Sequence, residues 1–335
     1  MTSLQRHFRP TLFLLALASL LPAAVAAQPP VYLTQWGSPG SGSGQFNKPL
    51  GVAVDAAGDV YVTDWERVSL GGNNRVQKFT GAGTYILQWG SIGSGNGQFD
   101  TPAGVAADLA GNIFVVDDAN FRVQKFSNTG TYLSQWGSYG GSGFGYFDNP
   151  ISVATDPAGN VYVSELAGQR VQKFTGAGAF LTQWGTFGSG DGQFFSPVGV
   201  AADAFGNVYV ADRANDRIQK FTDTGVYLAQ WGTTGSGNGQ FFAPSAVATD
   251  AAGNVYVVDT LNQRIQVFTG AGVYLTQWGS FGSGDGQFNY PSGVAVNAVG
   301  EVYVADFDNY RVQKFGRAIT PTKTASWGRI KSLYR

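Results

Sequence analysis

The chain of 335 residues contains no cysteine and only one histidine. Without cysteine it can form neither disulfides nor thiolate zinc sites. The histidine, His7, lies in the N-terminal segment, so the rest of the chain has no imidazole with which to bind a metal ion.

Basic charge is also scarce in the body of the chain. Two arginines lie in the first 26 residues and five basic residues in the last 20, and neither segment contains an acid. The middle of the chain therefore has 14 basic residues against 22 acidic ones, a net charge of −8. Binding to nucleic acid requires clustered lysine and arginine, so we expect no nucleic-acid partner.

Long apolar runs are absent except at the N-terminus. A short basic start, MTSLQRHFRP, precedes the apolar run TLFLLALASLLPAAVA, which ends in Ala24-Val25-Ala26. This pattern predicts a signal peptide over residues 1–26, cleaved before Ala27 or Gln28. A membrane anchor is the alternative, but the run is short for a span of about 20 apolar residues. We therefore expect an exported protein, secreted, periplasmic or at the cell surface, with no transmembrane span after cleavage.

A repeat of about 47 residues covers almost all of the rest. Each copy has a proline, an arginine in a segment such as Arg-Val-Gln-Lys-Phe and a tryptophan in Gln-Trp-Gly. The six arginines are at positions 75, 122, 170, 217, 264 and 311. Within each copy, short β-branched and aromatic segments alternate with glycine turns, as at 51–55, 60–64, 75–79 and 85–89. Four strands per copy predict the blade of a β-propeller, an all-β fold.

The repeat resembles the NHL repeat. The segment Pro-Ser-Gly-Val-Ala-Val-Asn-Ala-Val-Gly-Glu-Val-Tyr-Val-Ala-Asp-Phe-Asp-Asn-Tyr-Arg-Val-Gln-Lys-Phe (291–315) carries the resemblance, and the other five copies match it. The resemblance implies a six-bladed propeller of the exported bacterial type, with four-stranded antiparallel blades.

The phase of the repeat predicts how the ring closes. Residues 31–36 have the sequence of a fourth strand, whereas the last copy ends at Phe315 after three strands. We expect this N-terminal strand to complete the last blade, since an open ring would leave unpaired sheet edges. The predicted propeller spans 27–316, followed by a basic tail over 317–335. Disorder of the tail in solution and anchoring at an envelope surface are both open.

An acid precedes the repeated arginine in each copy. Six equivalent carboxylates cannot all lie at one catalytic site, so we interpret them as turn caps that pair with the arginines. The pairs are Asp64 with Arg75, Asp117 with Arg122, Glu165 with Arg170, Asp212 with Arg217, Asp259 with Arg264, and Asp306 with Arg311.

Two further repeated features have structural interpretations. The glycine loop, for example 279–288, lacks the features of a phosphate loop and the nine-residue period of calcium-binding repeats. We predict a flexible connection between blades. The regular tryptophans are predicted to pack between neighbouring blades.

Enzymes are known among six-bladed propellers, some with metal ligands near the axis. The residues that follow the repeat prolines, which we place at the channel mouth, are Leu50, Ala103, Ile151, Val198, Ser245 and Ser292. This ring has no metal ligands, and we expect no catalytic residue, metal or cofactor. The alternative is a propeller hydrolase or lyase with an unrecognised site near the central channel.

The copies differ mainly at one end of the predicted ring. There the loops before each arginine and each proline carry individual aromatic and arginine residues, whereas the turns at the opposite end are almost identical. The candidate binding residues are Trp65, Arg67, Phe121, Tyr139, Phe187, Arg213, Phe281, Tyr290, Phe307 and Tyr310. Such residues suit a protein, peptide or glycan ligand, although drift in unconstrained loops explains the variation equally well. The sequence therefore predicts a monomeric, non-catalytic binding scaffold.

Overall fold

A computed structural model describes residues 28–65, 72–140 and 143–317. These residues form 24 strands in six four-stranded antiparallel sheets. The first three blades contain β2 (Pro49–Val54), β3 (Val60–Asp64), β4 (Arg75–Phe79), β5 (Tyr85–Trp89), β6 (Pro102–Ala107), β7 (Asn112–Asp117), β8 (Arg122–Ser127), β9 (Tyr132–Trp136), β10 (Pro150–Thr155), β11 (Val161–Glu165), β12 (Arg170–Phe174) and β13 (Phe180–Trp184). The other three contain β14 (Pro197–Ala202), β15 (Asn207–Asp212), β16 (Arg217–Thr222), β17 (Tyr227–Trp231), β18 (Pro244–Thr249), β19 (Val255–Asp259), β20 (Arg264–Phe268), β21 (Tyr274–Trp278), β22 (Pro291–Val296), β23 (Val302–Asp306), β24 (Arg311–Gly316) and β1 (Val31–Trp36).

The ring closes as the sequence predicts. Strand β1 pairs antiparallel with β24, with Val31 opposite Gly316 and Trp36 opposite Val312. The sixth blade therefore takes its outer strand from the N-terminal side of the chain and its other three strands from the C-terminal side. The six-bladed all-β propeller is confirmed.

The core lies between the blades. The second and third strands are buried almost throughout because each lies inside its own sheet and also packs against a neighbouring blade. The tryptophans of the outer strands complete this packing, as Trp36 of blade six shows. Its ring centroid lies 5.7 Å from that of Phe79 in blade one and 6.2 Å from that of Tyr303 in its own blade. The predicted packing between blades is therefore present.

The ends of the ring differ in their connections. One end, here called the turn end, carries the tight turns between first and second strands and between third and fourth strands. The other, here called the loop end, carries the glycine loops into each blade and the connections between second and third strands. Among the connections that the structure describes in full, four contain a 3-10 turn: Asp118–Asn120, Arg213–Asn215, Thr260–Asn262 and Phe307–Asn309.

At the turn end, lysines connect neighbouring blades. The lysine of the third strand crosses the tyrosine or phenylalanine ring of the second strand and donates to a backbone carbonyl in the next blade. The bonds are Lys78 to Asn128, Lys125 to Gly176, Lys173 to Asp223 and Lys220 to Gly270. Blade five has Val267 in this position. Its neighbour, blade six, has no turn between third and fourth strands, because its fourth strand is β1.

The glycine loops are held by hydrogen bonds, contrary to the flexible connection that we predicted. In blade four, the guanidinium of Arg217 donates to the carbonyls of Ser189, Gly190 and Gln193 over 2.7–2.9 Å. The glycine of Gln-Trp-Gly is required where the loop begins. Gly185 has a φ of +109°, and a Cβ there would lie 2.6 Å from the Phe194 ring.

Several predicted features lie outside the described residues. They are the signal peptide, Arg67 and the tail beyond Arg317. Within the ranges that the structure covers, no helix is long and apolar enough to cross a membrane.

Candidate functional site

The repeated acid and arginine pair in all six blades at the loop end. The distance from the arginine Nε to the nearest carboxylate oxygen is 2.7–3.1 Å. The second carboxylate oxygen accepts a backbone N–H from the incoming glycine loop, as Asp212 does from Phe195 at 2.7 Å. Each pair therefore fastens the loop to the blade, a role that the pairing prediction did not include.

Burial makes these carboxylates costly to charge. It raises the pKa of Asp117 above its usual range, although the backbone N–H of Asp100 and the side chains of Arg122 and Asn120 act in the opposite direction. Burial likewise raises the pKa of Asp64, Glu165 and Asp306. The arginines and the N–H donors are what make a buried carboxylate tolerable here.

Three of the predicted aromatics stand out into solvent at the loop end. Tyr139, Phe187 and Phe281 are 66–70% exposed. The centroid of the Tyr139 ring lies 4.8 Å from that of Phe121, which is half-buried, and the Phe187 ring lies 5.2 Å from that of Phe195. These rings occupy separate loops and do not form one continuous patch.

Four other predicted aromatics meet where blade six adjoins blade one. The Phe307 ring lies 5.9 Å from the Trp65 ring and 6.0 Å from the Tyr290 ring. Lys48 places its Nζ 4.8 Å from the Phe307 centroid and 5.1 Å from that of Tyr310, and it donates to Asp308 at 2.6 Å. We call Trp65, Tyr290, Phe307 and Tyr310, with Lys48, the seam cluster. Its four aromatics are half-buried, so Trp65 is more enclosed than an exposed loop tip would be.

The residue before each repeated arginine makes the same hydrogen bond to the next blade in four blades, but not in blades two and six. It has a φ of +44° to +56° in every blade. In four blades its side chain accepts the backbone N–H of the residue before the next blade's proline, over 2.7–2.9 Å. The accepting residues are Asn74, Gln169, Asp216 and Gln263. Blades two and six carry Phe121 and Tyr310 there, and neither ring can accept this bond in the same way.

A cavity of about 200 Å³ occupies the channel at the loop end. All six residues that follow the repeat prolines line it, as predicted. Deeper in the channel the wall is made of valines, one from each inner strand: Val52, Val105, Val153, Val200, Val247 and Val294. The cavity is therefore largely apolar, with its opening among the loops.

Most of the polar side chains of the cavity lie on one side, and Ser152 of blade three is the exception. Blades four, five and six supply Arg213, Ser245, Thr260, Tyr290 and Ser292 to the wall, whereas blades one to three supply mainly aliphatic side chains. Arg213 Nη2 donates to the Tyr290 hydroxyl at 3.1 Å, which joins blade four to blade six across the mouth. The sequence identified both residues but gave no sign of this contact, because 77 positions separate them.

The described segments contain no cluster of three or more histidine, cysteine, aspartate or glutamate side chains that could hold a metal ion.

Comparison with known proteins agrees with this architecture. The NHL repeat model matches residues 46–79, 194–221 and 288–315. A catalytically inactive virginiamycin B lyase from Staphylococcus aureus with quinupristin has 14% sequence identity and a TM-score of 0.55, with 83% of this chain and 82% of that chain covered. A gluconolactonase from Xanthomonas campestris has 13% identity and a TM-score of 0.59, covering 82% and 88%.

A further solved structure has no assigned function. It comes from Bacteroides thetaiotaomicron and has 16% identity and a TM-score of 0.63, with 84% of this chain and 76% of that chain covered. At these identities the similarity concerns the fold alone.

Proposed function

Because the chain is a six-bladed β-propeller that carries NHL repeats, we propose that it is a binding protein whose loop end holds a protein, peptide or glycan without transforming it. Arg213 and the described aromatics among the candidate residues all lie at this end. The export signal over residues 1–26 is part of the same proposal.

The observation that carries the proposal concerns the residue before the repeated arginine, which lacks the common hydrogen bond in blades two and six. Four blades use this left-handed position for an amide or carboxylate that bonds to the next blade, whereas blades two and six place Phe121 and Tyr310 there. A propeller under structural selection alone would keep the hydrogen bond in all six blades. Aromatic side chains that replace it are typical of residues retained for recognition, since local rules are broken mainly at functional sites.

The surroundings of the two exceptions fit this role. Phe121 supports the exposed ring of Tyr139, and Tyr310 belongs to the seam cluster around Lys48. Tyrosine, tryptophan and phenylalanine are enriched at interfaces because they offer a large contact area with few rotatable bonds.

The test replaces Phe121 and Tyr310 with glutamine, the residue that blades three and five carry at this position. Phe121→Gln should regain the bond to the next blade, and Tyr310→Gln should offer a second acceptor to the Lys48 N–H, which donates to Asp64 at 3.1 Å. Both variants should keep the melting temperature of the wild type or raise it. Binding to the strongest ligands of a peptide array and a glycan array should weaken at least tenfold, as expected for loss of an interface aromatic. Leu181→Ala is the matched control, since Leu181 is 47% exposed on an outer strand away from the loops.

Two results would contradict the proposal. If the glutamine variants lose stability and bind as the wild type does, the aromatics are structural. If the control weakens binding and the glutamine variants do not, the ligand contacts the outer strands.

A second candidate is a propeller hydrolase or lyase that uses the cavity. The Arg213–Tyr290 contact favours it, since tyrosine can serve as a general acid or base. Incubation with quinupristin and with gluconolactone, the latter chosen from the gluconolactonase name, followed by mass spectrometry, tests both reactions. Because gluconolactone also opens unaided in water, each reaction is compared with one without protein. Equal rates with and without the protein would count against both reactions, whereas an acceleration of ring opening that Tyr290→Phe abolishes would establish catalysis.

The export part of the proposal has its own test. The mature protein should begin at Ala27 or Gln28, as read by N-terminal sequencing of material from outside the cytoplasm. Exported protein that retains Leu12 to Leu21 would refute cleavage at this site.

A further inference from the structure

Among the residues that the structure describes, the lining of the cavity at the channel mouth carries one charged side chain. That residue is Arg213, and no described aspartate or glutamate contributes to the wall. The guanidinium is half-buried beside the opening, so it is partly removed from water, and no carboxylate of the described lining compensates it.

This situation differs from that of the other arginines of the blades. The six repeated arginines each bind a buried carboxylate and several loop carbonyls. Within the described ranges, the guanidinium of Arg213 has a single hydrogen-bond partner, the neutral hydroxyl of Tyr290. A guanidinium has five N–H donors arranged as a planar fork, and most of these stay available for a ligand.

The rest of the wall favours a ligand with two unlike ends. Beyond the polar side, Leu50, Ile151 and Leu166 face the cavity, and the six valines lie deeper. An anionic group at Arg213 would leave the remainder of a ligand against aliphatic side chains. The cavity volume of about 200 Å³ suits one ring with a short chain, since a cavity of about 150 Å³ accepts benzene.

We infer that this cavity is a carboxylate-binding subsite, in which Arg213 pairs with the carboxylate and the aliphatic wall receives its apolar body. The carboxylate belongs either to a small organic acid or to the C-terminal residue of a peptide, since both present the same chemistry to the cavity. Arginine matches a carboxylate through two parallel N–H bonds, and Tyr290 fixes the guanidinium at the mouth. The inference deepens the proposed function and rests on it.

Calorimetric titration with matched probes tests the charge. We use 3-phenylpropanoate and its amide, which differ mainly in charge, on the full chain. The acid should bind with a dissociation constant between micromolar and millimolar, and the amide at least tenfold more weakly. Equal affinities, or no binding of the acid at millimolar concentration, would overturn the inference.

Variants then assign the charge to a residue. Arg213→Met keeps most of the side-chain volume and should weaken binding of the acid at least tenfold while leaving the amide unchanged. Arg213→Lys should recover part of the affinity, because it keeps the charge but loses the fork. Arg317→Met, at the turn end, is the control and should bind like the wild type. An unaltered affinity in Arg213→Met would refute the site, provided that its melting temperature matches that of the wild type.

A second pair of probes separates the two sources of carboxylate. A pentapeptide that ends in phenylalanine is compared with the same peptide amidated at its C-terminus. If the peptide needs its free carboxylate and binds with higher affinity than 3-phenylpropanoate, the natural ligand is the C-terminus of a peptide. If 3-phenylpropanoate binds with higher affinity than the peptide, the natural ligand is a small organic acid. Either result supports the subsite.

The outcome can be told apart from failure of the proposed function. Phe121 does not line the cavity, so Phe121→Gln should leave binding of 3-phenylpropanoate unchanged. If array ligands bind and lose affinity in Phe121→Gln while the acid never binds, the loop end is a binding face without a carboxylate subsite. If the acid binds through Arg213 and no array ligand depends on Phe121, the broader face is wrong and the cavity alone is the site.

Discussion

The two ends of the propeller use polar contacts between segments in different ways. At the turn end, lysines cross an aromatic ring and donate to one carbonyl of the next blade. At the loop end, arginines are buried with carboxylates and also hold the incoming glycine loops. The loop end therefore rests on a rigid frame, and the residues above this frame can vary without loss of the fold. This difference explains why most of the individual aromatics lie at the loop end, although Phe205, 66% exposed, lies in a tight turn at the turn end.

Removal of β1 should have the largest effect, because both ends depend on a closed ring. A chain that starts after Trp36 loses the outer strand of blade six, the packing of Trp36 on Phe79 and the bond from Arg311 to Gln35. We expect no cooperative thermal transition by circular dichroism. A chain that ends at Arg317 is the control and should melt like the full chain. Equal melting of the two truncated chains would contradict closure by β1.

The polar contacts of the two ends can be compared within blade four. Arg217→Met leaves the buried carboxylate of Asp212 without its partner and frees three loop carbonyls, so it should cost about 3 to 5 kcal/mol of unfolding free energy. Lys220→Met removes one bond to the Gly270 carbonyl and should cost about 1 kcal/mol. Urea denaturation of both variants measures the difference, and equal losses would show that the two ends are held alike.

One glycine loop contains both a buried and an exposed phenylalanine. Phe194 is fully buried and Phe187 is 66% exposed, although their backbones form a bridge with each other. Phe194→Ala should cost about 3 kcal/mol. Phe187→Ala should change stability by about 0.5 kcal/mol or less. Chemical denaturation decides, and a large loss in Phe187→Ala would mean that this ring belongs to the core.

A small effect is expected at the turn end of blade five. Val267→Lys places an ammonium beside blade six, which has no turn between its third and fourth strands, so it should lower stability by about 1 kcal/mol. Lys220→Val, the reverse change in blade four, removes an existing bond and should also destabilise. If Val267→Lys stabilised the protein, the missing turn of blade six would not explain why blade five has valine at this position.

The sequence predicted most of the propeller, because the same residues recur at the same spacing in all six copies. Six copies of one spacing fix the number of blades, and the displaced fourth strand at 31–36 fixes the closure. The contact between Arg213 and Tyr290 could not be predicted, since it joins unlike residues of blades four and six, on either side of blade five. The change from amide or carboxylate to aromatic at Phe121 and Tyr310 was visible in the aligned copies. Its meaning required the bonds from Gln169, Asp216 and their equivalents to the next blade.

The pairing of β1 with β24 also determines how the ring presents itself. Val31 and Gly316 are partners, so the chain enters and leaves the propeller side by side at the turn end. A tether attached beside Val31 or Gly316 would therefore hold the ring by the turn end and point the channel mouth outward. A biosensor surface coupled through a cysteine introduced at either of these two positions should leave the cavity equally accessible, whereas coupling through a cysteine introduced at Phe187 would turn the mouth toward the support.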